Sequence, residues 1–80
     1  MVIINPEIFR KLREFYRLDS AEWAALIGIS DRLVRYIERG ERGVSSKVAQ
    51  KVNDELELTP EKLDRILTLY DEFQIRGEPS

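Results

Sequence analysis

Neither cysteine nor histidine occurs in this chain of 80 residues. The first absence removes disulfides and thiolate metal sites together. The second removes a zinc site and a histidine base. Long apolar runs are missing as well: the longest, Trp23 to Ile27, has five residues, against ~20 needed to cross a bilayer. Met1-Val2-Ile3-Ile4 is too short for a signal peptide and lacks its basic start. A soluble, cytoplasmic protein is expected. Nothing left in the sequence forms a nucleophile–base pair or a metal cluster, so neither an enzyme nor a cofactor is implied.

What remains is one small domain, 1–80, with a core over 5–75 and a flexible tail at 76–80. A chain of this size buries ~60–65% of the surface exposed when unfolded, so its core is slim. The net charge of −2 hides an uneven distribution. Residues 1–51 hold ten Lys/Arg against seven Asp/Glu, and residues 52–80 hold three against eight. The acidic balance argues against indiscriminate nucleic-acid binding, yet a basic face in the first half stays available.

The periodicity predicts an all-α chain of five helices, with no alternating segment for a strand. Asn5-Pro6-Glu7 opens the first with a cap, a first-turn proline and an acid. Ile8, Phe9, Leu12, Phe15 and Tyr16 form its apolar face, and it ends near Leu18. Asp19 and Glu22 form a capping box for the second helix, whose Trp23, Ala24 and Ile27 point inward. Gly28 marks a left-handed turn. Ser30 caps the third helix, which stops at Gly40. Ser45 caps a fourth, with Val44 and Ala49 as a hydrophobic staple, and Val48, Val52 and Leu56 lie four apart. Thr59-Pro60-Glu61 opens a fifth helix running to about Gln74. Residues 1–4 are read either as disordered or as a short strand that pairs with a partner.

Two short helices joined through Gly28-Ile29-Ser30 form a helix-turn-helix layout. On the third, at about 100° per residue, Leu33, Val34 and Ile37 cluster within about 100° of arc. Arg32, Arg35, Tyr36 and Arg39 fall opposite. Such a cationic stripe suits the DNA major groove, where arginine bonds guanine O6 and N7 together. Asp31, Arg32, Arg35 and Tyr36 are the expected base readers, because the start of the helix points at base edges in this motif. Asp31 could accept from a cytosine amine or simply favour the helix dipole. Ser20, Arg39, Arg42, Ser45, Ser46 and Lys47 are the expected phosphate contacts, Ser45 serving equally as a cap. Lys51 is expected to be solvated.

The stretch Arg13 to Leu58 resembles the phage-repressor type of helix-turn-helix domain, the Cro/C1 or XRE family. The resemblance is carried by Arg13, Ala24, Ile27-Gly28-Ile29-Ser30, Val34, Ile37-Glu38, Gly40, Leu56 and Leu58-Thr59. This chain departs from the family pattern at Ser20, where glutamine is common, at Trp23, where leucine is usual, and at Glu57, where glycine is frequent. The resemblance implies a compact, five-helix, lambda-repressor-like fold. It also implies a structural ion pair between Arg13 and Glu38.

On the fifth helix, Leu63, Ile66, Leu67, Leu69, Tyr70 and Phe73 span about 160° of the wheel, wider than the ~100° stripe one core needs. A larger core face would account for this. Self-association through Leu69, Tyr70 and Phe73 is the alternative, placing two recognition helices ~34 Å apart on a palindromic operator. The expected function is a sequence-specific double-stranded DNA-binding regulator: a dimeric repressor or autorepressor of phage, plasmid or anti-CRISPR-associated type. The competing expectation is a protein-binding adaptor, antitoxin-like or anti-CRISPR-like, that keeps the fold and grips a partner through its last helix.

Overall fold

Small polar side chains decide where the helices begin. The computed structural model describes residues 2–76, with side chains through Glu72. Within it α1 spans Pro6–Phe15, α2 Ser20–Ile27, α3 Asp31–Glu38, α4 Ser46–Leu56 and α5 Pro60–Arg76. Asn5 Oδ1 accepts from the Ile8 amide, Ser30 Oγ from Leu33, Ser45 Oγ from Val48 and Thr59 Oγ1 from Lys62. Asp19 and Glu22 satisfy each other's backbone amides at 2.7 and 2.9 Å. Each cap contributes ~1 kcal/mol. No strand occurs among the described residues, and the expected all-α fold of five helices is the one observed.

Helix ends depend on left-handed residues. Gly28, at φ 76°, closes α2, and its amide and that of Ile29 both donate to the Ala24 carbonyl. The first helix stops at Phe15, earlier than the Leu18 expected, because Arg17 turns left-handed at φ 58°. The Leu18 amide then folds back to the Arg13 carbonyl at 3.1 Å, the closure a glycine usually makes. Glu57 ends α4 in the same way, at φ 50° and ψ 51°. The next chain segment reinforces that end, for Lys62 Nζ donates to the Leu56 carbonyl at 2.6 Å.

Phe9 and Leu12 of α1, Trp23 and Ile27 of α2, Val34 and Ile37 of α3, Val52 and Leu56 of α4, and Leu63 and Ile66 of α5 share one core. Trp23 is 0% exposed, its ring tilted against Phe9 with centroids 5.4 Å apart. Its Nε1 has no hydrogen-bond partner. An orphaned buried donor costs ~1–3 kcal/mol, which the apolar area of the ring offsets.

Val2 and Ile4 find their places within their own chain. Val2 donates its amide to Asn53 Oδ1 at 2.9 Å, and Asn53 Nδ2 donates to the Val2 and Ala49 carbonyls at 3.0 and 2.8 Å. Ile4 is buried. Val2 therefore docks on α4 of the same chain while Ile3 stays exposed, and the core starts at Ile4 instead of residue 5.

The broad apolar face of α5 is largely consumed at home. Leu63, Ile66 and Tyr70 are buried, and Leu67 packs half-covered against the core. Tyr70 donates its hydroxyl to Glu14 of α1, with Lys11 5.5 Å from its ring centroid. Tyr70 is therefore a contact between α1 and α5, which corrects its expected place in a dimer interface. Leu69 is half-buried. The side chain of Phe73 and the tail residues 77–80 lie outside the described residues, whereas the helix continues through Arg76.

Replacing Glu57 with glycine should relieve the left-handed strain, worth ~1–2 kcal/mol, against the extra unfolded-state entropy of glycine. A net gain of about 0.5–1 kcal/mol is expected in urea titration. Unchanged or reduced stability would contradict the backbone described. Tyr70 supplies a pH signature. Burial, and then the bond donated to Glu14, raise its phenol above the ordinary range. The neutral form is thus favoured more in the fold than in the unfolded chain. The resulting stability is complete below about pH 10 and lost as the pH rises through the folded-state value. Wild type should therefore lose more stability than Tyr70→Phe between about pH 9 and about pH 11.5; parallel curves would contradict it.

Candidate nucleic-acid interface

The third helix owes its position to one buried face and one ion pair. Val34 and Ile37 are fully buried and Leu33 half-covered, so the apolar arc is spent on the core. At the helix end, Glu38 receives Arg13 in a two-pronged pair, Nε to Oε2 at 2.7 Å and Nη2 to Oε1 at 2.9 Å. Arg13 Nη1 also donates to the Leu18 carbonyl at 2.9 Å. One guanidinium thereby ties α1, the link into α2 and the end of α3. The side chains keep 19% and 15% of their surface, and the bond to Glu38 raises the Arg13 pKa against the opposing effect of burial. The ion pair expected from Arg13 and Glu38 is present.

On the opposite face, Arg32, Arg35 and Arg39 are exposed and Tyr36 is half-exposed. The guanidinium carbons of Arg32 and Arg39 lie 5.7 and 5.8 Å from the Tyr36 ring centroid, within cation–π range. Arg32 Nε also donates to the Tyr36 hydroxyl at 3.1 Å. Arg35 Nη2 donates to Asp31 Oδ2 at 2.5 Å, one turn earlier. Arg39 has a looser pairing with Glu41, at 3.6 Å. Of the three arginines, Arg32 alone lacks an acidic partner among the described residues.

Asp31 is paired within its own helix. Its Oδ2 is taken by Arg35, and Oδ1 is shielded from solvent without a hydrogen bond of ordinary geometry. Arg35, followed by the Ser20 hydroxyl, holds this carboxyl below the usual carboxylate range. The carboxylate expected as a base reader is thus engaged by Arg35 on its own helix.

Two shallow clefts flank α3. One, of about 350 Å³, is lined by Arg10, Arg13, Asp19, Ser20, Arg35, Glu38 and Arg39. It gathers Ser20 and Arg39, expected on phosphates, beside Arg35. It also adds Arg10 of α1, a cation the sequence did not single out because its surroundings on α1 are charged and unremarkable. The other, of about 250 Å³, is lined by Ser30, Arg32, Leu33, Tyr36 and Arg42. Arg42 arrives there because Gly40 turns left-handed and the amides of Glu41 and Arg42 close onto the Tyr36 carbonyl. Ser45, Ser46 and Lys47 are exposed at the start of α4 and line neither cleft. The Ser45 hydroxyl accepts from Val48 as a cap.

No family model matches the chain, and neither a curated protein nor a solved structure matches it significantly. No helix among the described residues is long and apolar enough to cross a membrane.

Glu38→Gln preserves the shape of the Arg13 partner and removes its charge. Breaking a fully buried pair costs ~3–5 kcal/mol. Because this one keeps some contact with water, about 2 kcal/mol is expected in chemical denaturation. A loss below about 0.5 kcal/mol would show that the pair does not hold α3.

Proposed function

We propose that the protein is a sequence-specific double-stranded DNA-binding regulator, with α3 as its recognition helix. The observation that carries this reading is the exposed stripe of Arg32, Arg35, Tyr36 and Arg39 on a helix anchored by Val34, Ile37 and Glu38. With its side chains an α-helix is ~10–12 Å across, which fits a major groove ~12 Å wide. Arg32 and Arg35 contact base edges, with Tyr36 beside them. Ser20, Arg39, Arg42 and Arg10 meet phosphates on either flank, and Ser46 and Lys47 reach more distant ones.

Repression in the cytoplasm follows as part of the proposal: two copies on a palindrome occupy a promoter and exclude polymerase. Pairing supplies the affinity that one small domain lacks. Its surface excludes Tyr70, whose ring is buried within its own chain.

Arg32→Ala combined with Arg35→Ala should reduce binding to a selected duplex by at least about 100-fold, the loss expected from two guanine-type contacts. The melting temperature should move by only a few degrees, about what exposed substitutions allow. Affinity should also fall with salt at a log–log slope near −0.9 per neutralised phosphate. Specific binding retained by the double variant, or a flat salt response, would overturn the proposal.

A further inference from the structure

We infer that Asp31 is a positioning residue that makes Arg35 a guanine reader, so that each half-site carries a guanine opposite Arg35. The inference rests on the DNA-binding reading above and names the target feature that this reading leaves open.

An arginine on an exposed helix face samples many rotamers and bonds whatever anion comes near, phosphates included. Arg35 is different. Asp31, one turn earlier, holds its Nη2 at 2.5 Å, while the side chain remains 59% exposed. A guanidinium carries five donors in a plane, and among the described residues Asp31 takes one of them. The free donors still include a parallel pair, which matches guanine O6 and N7. Adenine presents an N6 donor where guanine has O6, and cytosine presents its N4 donor, so a guanidinium held in one pose loses a bond against either. Left free, it could swing to another acceptor and blur that difference.

The carboxylate acts a second way. Its charge beside Arg35 weakens the pull of the DNA backbone on that guanidinium, which lowers indiscriminate affinity. Arg32 supplies an internal comparison. Its brace is the neutral Tyr36 hydroxyl at 3.1 Å, longer and uncharged. The base pair under Arg35 is therefore the more sharply specified of the two.

The test is selection of bound sites from a random duplex library, run on wild type, Arg35→Ala, Asp31→Asn and Asp31→Ala, with folding of each checked by circular dichroism. Wild type should enrich a motif with a guanine whose preference disappears in Arg35→Ala. In both Asp31 variants total binding should hold or rise, while preference for that guanine falls about 10-fold and other positions keep theirs. Loss of a purely structural contact would instead weaken all positions together, and that result overturns the inference. So does an Arg35-dependent position that is not guanine, or a guanine preference unchanged in Asp31→Asn. Asp31→Asn keeps the side-chain shape and decides the matter if Asp31→Ala fails to fold. If wild type enriches no duplex at all, the DNA-binding reading falls and the inference with it; a sharp motif indifferent to Asp31 defeats the inference alone.

Discussion

Helices of eight residues do not persist alone in water, because the cost of nucleation outweighs so few hydrogen bonds. The third helix is held by what it touches, and the decisive contact is the two-pronged bond between Glu38 and Arg13. Val34 and Ile37 seat the helix in the core, but apolar contact is non-directional and would tolerate a roll about the axis. A planar guanidinium facing a carboxylate is directional. Because the same guanidinium also binds the Leu18 carbonyl, the aim of α3 is fixed relative to α1 and to the link that leads into α2.

That fixed aim gives meaning to the charges outside. The chain is acidic overall, yet its cations gather around α3 from three directions: Arg10 on α1, Arg42 on the loop after α3, and the stripe on α3 itself. The nearby acids do not cancel this pattern evenly. Glu38 faces inward to Arg13, Asp31 engages Arg35, and Glu41 touches Arg39 only at 3.6 Å. If α3 reads DNA as proposed, a surface built this way is modest in attraction and rich in braced geometry, which favours discrimination over raw affinity.

Much of this was legible in the sequence because it is governed locally. A cap reads as Asn5, Asp19, Ser30, Ser45 or Thr59 before an apolar period, and each one caps as expected. Gly28 announced its left-handed turn. Arg17 gives no such signal, since arginine does not favour φ above zero, and so the end of α1 falls earlier than its pattern suggests; at Glu57 the only hint is the glycine frequent there in the family that the chain resembles. Asn53 was silent for another reason: its partners, Val2 and Ala49, are set by tertiary packing that leaves no periodic trace. The inward turn of Tyr70 was hidden in the same way, since a wide apolar arc cannot say whether neighbour or copy covers it. At the site, the stripe was visible as spacing, whereas the engagement of Asp31 by Arg35 is a matter of rotamer.

The sealed indole of Trp23 has a practical consequence. It is the sole tryptophan, wholly out of contact with water, stacked obliquely on Phe9 and without a partner for its N–H. Its emission should sit toward the blue in the native chain and redden when α2 leaves the core. Because α2 carries the turn into α3, the intrinsic fluorescence of the unlabelled protein is an optical gauge of whether the helix-turn-helix is assembled.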